Sequence, residues 1–421
     1  MNKLLIALPL VMACSLAWAD EAMEQRIDAL QQELDALKSQ VESSDGGAQV
    51  TSNMEFESAA ASPEEGRSAI GGYGEINYNN YKDSSKRDEF DVQRFILFLG
   101  HRFNERTRLY SEIEFEHSVT EGGDDDSGEV AMEQAYIEHG LTEDGGMNLR
   151  AGLMLLPIGI INEYHEPPTF YGVERNEVES RIIPSTWREI ALALHGRTIG
   201  GLEYNAGVST TPDASKYSSA SSGFKDMRVK GNRVTANEFG YFAGLNYRGV
   251  PGLLLGGGIW AGNTAQEGQG KGDNANLLAG YDARLTIWDL HARYSFAGFD
   301  LRALYAKGKL SDTAAINAAA GLAPGSDDAA PESFSGWFAE AAYHVYKSGN
   351  TDIAPFVRYE EYNTQESVAA GYAIDPNNDE KVVTAGVNFY VHPQVVFKID
   401  VQDYDTDDTK DRFNFGIGWM F

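Results

Sequence analysis

The sequence predicts an all-β fold, a 16-stranded antiparallel transmembrane β-barrel preceded by a short N-terminal coiled-coil helix. Three observations lead to it. From Ile70 to the last residue, sixteen strand-like segments follow one another, most of them 9–13 residues long, which suits a tilted crossing of a bilayer. Short turns alternate with longer loops between these segments. After Ala19, no apolar run reaches the ~18 residues of a spanning helix.

The first nineteen residues predict a signal peptide. Lys3 supplies a positive charge, an apolar run follows, and Ala17-Trp18-Ala19 forms an A-x-A-like cleavage site. Val11–Cys14 weakly resembles a lipobox, so lipidation of Cys14 is an alternative. Cys14 is the only cysteine, which excludes an internal disulfide.

Residues 20–43 predict a coiled coil that lies in the periplasm. The apolar residues are spaced four and three apart, as in a heptad seam: Met23, Ile27, Leu30, Leu34, Leu37 and Val41. An amphipathic helix docked on its own domain is the alternative to self-association. Residues 44–69 are rich in Ser, Ala, Glu and Gly, and they predict a flexible linker before the barrel of residues 70–421.

The sixteen predicted strands alternate between two kinds of connection. Links after even strands are short, such as GVPG at 249–252 and HPQ at 392–394, and links after odd strands are mostly longer. This is the pattern of an outer-membrane barrel, and an even strand number places both ends on the short-turn, periplasmic side. The predicted strands are 70–81, 90–101, 107–118, 130–141, 147–155, 188–196, 201–211, 236–248, 253–263, 283–296, 299–309, 333–345, 353–363, 381–391, 395–404 and 412–421.

Several of these segments have one apolar face. In 395–402, Phe397, Ile399 and Val401 alternate with Lys398 and Asp400. The final strand places its aromatic residues on one face and ends on Phe421. We therefore expect a barrel with an apolar outer surface, a polar inner surface and aromatic residues at its two rims.

The sequence resembles the phosphate-selective porin family of the porin O and P type. The matching pieces are the coiled-coil prefix, FDVQRFILFLG (90–100), NEYHEPPTFYGVER (162–175), the pair DLHARYSF (289–296) and FDLRALYAKG (299–308), and the terminal Phe421. The resemblance implies a homotrimer of sixteen-stranded barrels in the bacterial outer membrane, in contact with lipid and lipopolysaccharide. It also implies that loop 156–187 folds inward to constrict the pore, whereas packing over the outer mouth is the alternative.

Charged residues on the inward phase of the strands are the candidates for lining the pore. Opposed charges would select ions, and arginine forks suit phosphate or carboxylate, although many of these groups could simply pair with one another. The pore-lining candidates are Arg94, Arg108, Arg150, Arg293, Arg302, Arg358, Lys398, Glu112 and Glu114. The constriction-loop candidates are Glu163, His165, Glu166, Arg175, Glu177 and Arg181. An outer loop, 212–235, would collect anions with Lys225, Arg228, Lys230 and Arg233.

These features predict a water-filled channel for passive diffusion of small hydrophilic solutes. The wall lacks a lysine-rich cluster, so the expected preference for anions is weak. A net charge of −29 argues against nucleic acid as a partner. A structural tether with a closed barrel, a barrel-based hydrolase and a soluble secreted β-protein are the alternatives. Neither G-x-S-x-G nor H-E-x-x-H occurs, so we expect no catalytic residues, metal site or cofactor.

Overall fold

The computed structural model describes residues 68–83, 85–119, 128–143 and 145–421. The predicted signal peptide, the coiled coil and most of the linker lie outside these residues. Seventeen strands account for most of the described chain: β1 (Ser68–Tyr81), β2 (Glu89–Arg102), β3 (Thr107–Glu116), β4 (Val130–Gly140), β5 (Asn148–Leu155), β6 (Arg188–Arg197), β7 (Leu202–Ser209), β8 (Gly240–Tyr247), β9 (Leu253–Asn263), β10 (Arg284–Phe296), β11 (Phe299–Leu310), β12 (Pro331–Tyr343), β13 (Tyr346–Ser348), β14 (Thr351–Val368), β15 (Asp379–His392), β16 (Val395–Tyr404) and β17 (Arg412–Met420).

The strands form one closed antiparallel barrel. The strands pair in sequence order, except that β12 and β13 both pair with β14, and β17 pairs with β1 from Tyr73↔Met420 to Tyr81↔Arg412. β13 continues β12 along the same partner, β14, so the barrel has sixteen strand positions. The predicted sixteen-stranded antiparallel barrel is therefore confirmed.

Side chains alternate between the two surfaces of the wall as the sequence predicts. In β16, Ile399 and Val401 are about half exposed on the outside, whereas Lys398 and Asp400 point inward and are buried. In β17, Phe413 is exposed and its neighbour Asn414 is buried. An apolar outside and a polar inside follow from this period of two.

Two strand boundaries differ from the predicted ones by more than two residues. β8 begins at Gly240 and not at residue 236, because the preceding residues bond to the next outer loop: Asn237 Nδ2 donates to the Gln266 carbonyl (3.2 Å), and Glu238 accepts from the Gln266 N–H (2.7 Å). β14 extends to Val368, past the predicted end at residue 363, because its pairing with β12 continues through two irregularities to Pro331↔Val368.

The segment 156–187, called the inward loop below, lies inside the barrel. Asn162 joins its two ends by donating to the Leu156 carbonyl (2.8 Å) and accepting from the Trp187 N–H (2.7 Å). Its apolar side chains are buried, including Ile158 and Ile182. The hydrophobic core thus sits between the inward loop and the inner wall.

Short helices occur in the loops. α1 (Glu177–Arg181) belongs to the inward loop and starts at Asn176, whose side chain accepts from the Glu179 N–H (2.7 Å). α2 (Thr313–Ala319) lies between β11 and β12. Within the described ranges, the helices fall short of the length and hydropathy that a membrane-crossing helix needs.

Gly258 in β9 provides a test of this packing. A Cβ there would collide with the Pro157 carbonyl oxygen and lie 3.2 Å from the Ile158 Cα. We expect Gly258→Leu to lower the free energy of unfolding by about 1–3 kcal/mol, because it overpacks the contact between wall and loop. Denaturant titration in detergent measures this, with the outward Ile259→Val as control. Equal stability of the two variants would contradict an inward loop at this position.

Candidate functional site

Acidic side chains of the wall hold the backbone of the inward loop. Asp289 of β10 accepts from the Gly159 N–H (3.0 Å), and Asp400 of β16 accepts from the Val173 N–H (2.6 Å). Glu360 of β14 accepts from the Glu177 N–H at the start of α1 (2.7 Å). Buried backbone donors need such partners, so these carboxylates fix the path of the loop across the barrel.

Basic side chains of the wall bind the loop from the other direction. Arg302 donates to the Thr169 carbonyl (2.9 Å), and Arg358 donates to the Tyr171 carbonyl (3.1 Å). The Lys398 ammonium lies 3.5 Å from the centroid of the Phe170 ring. These three cations were candidates for lining the pore, but the structure places them beneath the loop, where they are buried.

The remaining candidates on the wall are mostly engaged with carboxylates. Arg108 and Arg150 both pair with Glu138, at 2.5 and 2.9 Å, and Arg293 pairs with Asp300 at 2.8 Å. Glu112 and Glu114 are buried. The inward orientation of these charges was therefore readable from the sequence, whereas the sequence did not show which of them the inward loop covers.

A cavity of about 310 Å³ remains between the inward loop and the wall formed by β1, β2 and β17. Five basic and three acidic side chains line it, and Phe170, Val173, Ser180 and Ser185 complete the lining. The charged groups are Arg94, Arg175, Arg181, Lys225, Arg412, Glu75, Glu174 and Glu177. Among the sequence candidates, Arg94, Arg175, Glu177, Arg181 and Lys225 thus come together here. Glu75 is a contributor that the inward phase of the first strand could have indicated.

Ion pairs neutralise part of this charge. Arg94 pairs with Glu75 (2.8 Å), and Arg181 pairs with Glu177 (2.9 Å). The pairing with Arg181 and the nearby Arg412 overcome burial and lower the pKa of Glu177, which keeps its carboxylate ionised. Glu174 accepts from the amide of Asn79 (3.0 Å).

Arg175 and Lys225 carry the excess positive charge of the cavity. Neither forms an ion pair with a carboxylate among the described residues. Burial, with Arg228 and Arg181 nearby, lowers the pKa of Lys225, as expected where cations cluster. The cavity therefore offers positive charge that its own acids do not balance.

The other members of the predicted anion-collecting loop lie elsewhere. Arg228 is buried and donates to the Pro184 and Thr186 carbonyls (2.5 and 3.2 Å), so it anchors the end of the inward loop. Burial and Arg188 lower the pKa of Arg228 to about 10. Lys230 pairs with Glu129 (3.0 Å), and Arg233 is exposed. Only Lys225 of these four lines the cavity.

The remaining sequence-predicted candidates of the inward loop, Glu163, His165 and Glu166, do not line the cavity. Glu163 is partly exposed, and His165 and Glu166 are buried. His165 meets Glu112 of β3 and Glu133 of β4, a trio whose atoms could hold a metal ion. Burial opposes protonation of His165, but these two carboxylates outweigh it and raise its pKa to about 9. Sequence spacing missed the trio because its members come from three separate segments.

Arg358 tests whether the buried cations anchor the loop. Its guanidinium also pairs with Glu340 (3.1 Å) and Glu360 (2.8 Å), so Arg358→Ala leaves two buried carboxylates without it. We expect a loss of about 3–5 kcal/mol in the free energy of unfolding, measured by denaturant titration in detergent. Arg108→Ala should cost less, because Arg108 is partly exposed and its buried partner Glu138 keeps Arg150 (2.9 Å) and His195 (2.8 Å). A stable Arg358→Ala with altered ion selectivity would instead make this arginine a pore-lining residue.

Comparison with known proteins supports the fold and identifies one relative. No family model matches the chain. The barrel is similar to that of Salmonella typhi OmpF in complex with daunomycin, with a TM-score of 0.54 and 13% identity over 85% of this chain and 98% of that one. It is also similar to the trimer form of in-vitro folded OmpT of Vibrio cholerae, with a TM-score of 0.51 and 12% identity over 85% and 99% of the two chains. At these identities the likeness shows the fold alone.

The sequence itself is related to a protein of Aquifex aeolicus (strain VF5) described as uncharacterized. The two are 31% identical over 361 residues, which cover 84% of this chain and 80% of the relative. The chain therefore belongs to the same family as this Aquifex aeolicus protein.

Proposed function

We propose that the protein is an outer-membrane porin, a water-filled channel for passive diffusion of small hydrophilic solutes with a weak preference for anions. The observation that carries this proposal is a closed barrel with an apolar outside and a charged cavity beside its inward loop. Sixteen strands enclose more space than their own inward side chains fill. The inward loop leaves a charged cavity beside β1, β2 and β17.

Aromatic residues support the placement in a membrane. Phe296 and Phe299 flank the short turn between β10 and β11, and Tyr343 at the end of β12 lies opposite Phe299. All three are about half exposed, and the Phe299 ring centroid lies 5.6 Å from that of Phe296 and 4.6 Å from that of Tyr343. Phe421 packs against Phe95 on the same rim (6.3 Å). A girdle of this kind sits at a membrane–water interface. Short turns are typical of the periplasmic side, so we propose that this rim faces the periplasm.

The unbalanced cations support the preference for anions. Arg175 presents a fork that fits two oxygens of a phosphate or carboxylate, and Lys225 adds a point charge. Glu75, Glu174 and Glu177 line the same cavity and offset much of the basic charge. We therefore propose a weak preference, and not the strong phosphate selectivity suggested by the resembled family.

A structural tether with a closed barrel is the second candidate. The burial of Arg302, Arg358 and Lys398 beneath the inward loop favours it, because much of the inner wall is covered. Such a tether would conduct no ions, whereas a porin conducts in discrete steps.

We also propose a homotrimer embedded in outer-membrane lipid and lipopolysaccharide. The apolar outside of the barrel, with residues such as Leu290 and Leu255 exposed, supports contact with lipid or with neighbouring copies. The similar OmpT structure is described as a trimer form.

Planar-bilayer recording of the purified protein tests the proposed function. We expect stepwise conductance, in groups of three if the trimer inserts as a unit. Under a salt gradient, the reversal potential should be shifted toward the equilibrium potential of the anion. Added phosphate should reduce the chloride current. Absence of conductance from correctly folded protein would favour the tether. Cation preference would remove the argument from Arg175 and Lys225.

Lys225→Glu tests the source of the selectivity. One unit charge about 4 Å from a permeating ion changes its energy by roughly 1 kcal/mol in water, so the anion-to-cation permeability ratio should fall about fivefold or more. Arg175→Gln should act in the same direction with a smaller effect. Lys230→Glu is the matched control, because Lys230 is on the same loop but outside the cavity. If Lys225→Glu and Lys230→Glu change the permeability ratio equally, the anion preference arises at the outer opening of the barrel and not in the cavity.

A further inference from the structure

Three potential metal ligands meet where the inward loop crosses β3 and β4. His165 Nε2 lies 3.7 Å from Glu112 Oε1 and 3.4 Å from Glu133 Oε2, and the three atoms lie within 4.8 Å of one another. Each residue is at most 2% exposed. Two buried carboxylates this close together are stable only beside a positive charge, which is either a protonated His165 or a bound metal ion.

The other atoms of these three side chains are already held by neighbours. Glu112 Oε2 accepts from Gln134 Nε2 (2.7 Å), and Glu133 Oε1 accepts from Arg188 Nη1 (3.1 Å) and from the Thr186 hydroxyl. His165 Nδ1 lies 3.3 Å from the Asn162 carbonyl, which can only accept, so Nδ1 carries the proton. Supporting bonds of this kind orient the ligands of metal sites and direct His Nε2 toward the ion.

The atoms that face one another have no hydrogen-bond partner. Glu112 Oε1, Glu133 Oε2 and His165 Nε2 are all buried without one among the described residues. The Tyr73 hydroxyl, on a ring 5.8 Å from the His165 ring, is buried and unpartnered as well. Each such atom costs about 1–3 kcal/mol when left unsatisfied, so their convergence points to a ligand.

We propose that Glu112, Glu133 and His165 bind a divalent transition-metal ion of the Zn²⁺ type. Donor atoms about 2.1 Å from a tetrahedral Zn²⁺ lie about 3.4 Å apart, close to the two nitrogen–oxygen distances here. Two carboxylate oxygens and one imidazole nitrogen suit Zn²⁺ or Mn²⁺, whereas Ca²⁺ and Mg²⁺ prefer oxygen ligands alone. A water molecule or the Tyr73 hydroxyl would complete the coordination.

The ion would clamp the inward loop to the wall. Glu112 and Glu133 belong to neighbouring strands, and His165 belongs to the loop, so coordination ties all three segments at one point. Because the ion would bind the folded barrel and not the unfolded chain, binding would stabilise the folded barrel by mass action. This role does not depend on whether the barrel conducts ions.

Metal content and stability of the purified full-length protein test the proposal. After treatment with EDTA and removal of the chelator, titration with Zn²⁺ should show one tight site per chain and raise the thermal unfolding temperature. Glu112→Gln and His165→Gln should each weaken Zn²⁺ binding by about 100-fold or more, since changes in supporting residues alone cost 10–100-fold. Both variants should lose the stabilisation by Zn²⁺.

His344→Gln is the matched control. His344 also joins wall and loop, through Asp352 (2.8 Å) and the Tyr171 hydroxyl (3.2 Å), but it meets a single carboxylate. Zn²⁺ binding should persist in this variant whatever its stability. The proposal is overturned if the wild-type protein binds no Zn²⁺, which would leave a protonated His165 as the cation between the carboxylates. It is also overturned if Glu112→Gln and His165→Gln bind Zn²⁺ as tightly as His344→Gln does.

Discussion

The architecture depends on one constraint, which is that the backbone of the inward loop must find hydrogen-bond partners inside the barrel. A loop in that position loses water from its N–H and C=O groups, and each unpaired group is costly. The wall supplies the partners, with Asp289, Glu360 and Asp400 accepting and Arg302 and Arg358 donating. The polar inner face is therefore first a binding surface for the loop and only in part the lining of the proposed channel.

This division explains why so many wall charges are paired and buried. A charge beneath the loop is stabilised by an opposite charge, a backbone dipole or an aromatic ring; Arg358 has the first two, and Lys398 has the ring of Phe170. Charges that act on a solute must lie where the loop leaves space, and the cavity beside β1, β2 and β17 is one such place. Arg175 and Lys225 meet that condition, and they belong to loops and not to strands.

The sequence predicted the barrel well because period-two alternation and turn length are local properties. The boundaries of β9 and β16 match the predicted ones, and the inward phase of Lys398 and Asp400 was readable from their spacing. The site was predicted less well, because cover by a loop is a long-range property. Spacing alone gave no sign that Arg228 would turn inward to anchor the loop. The meeting of Glu112, Glu133 and His165 likewise depends on the register of β3 on β4 and on the path of the inward loop.

Accessibility of introduced cysteines tests the inward loop most directly, because the chain has no cysteine after the predicted signal peptide. Ser180 lines the cavity, whereas Thr384 of β15 faces the inside of the barrel but is 1% exposed. A charged thiol reagent applied during bilayer recording should react with Ser180→Cys and reduce the current, and should leave Thr384→Cys unmodified. Rapid block through Thr384→Cys, with Ser180→Cys unaffected, would contradict a loop that is held against the wall.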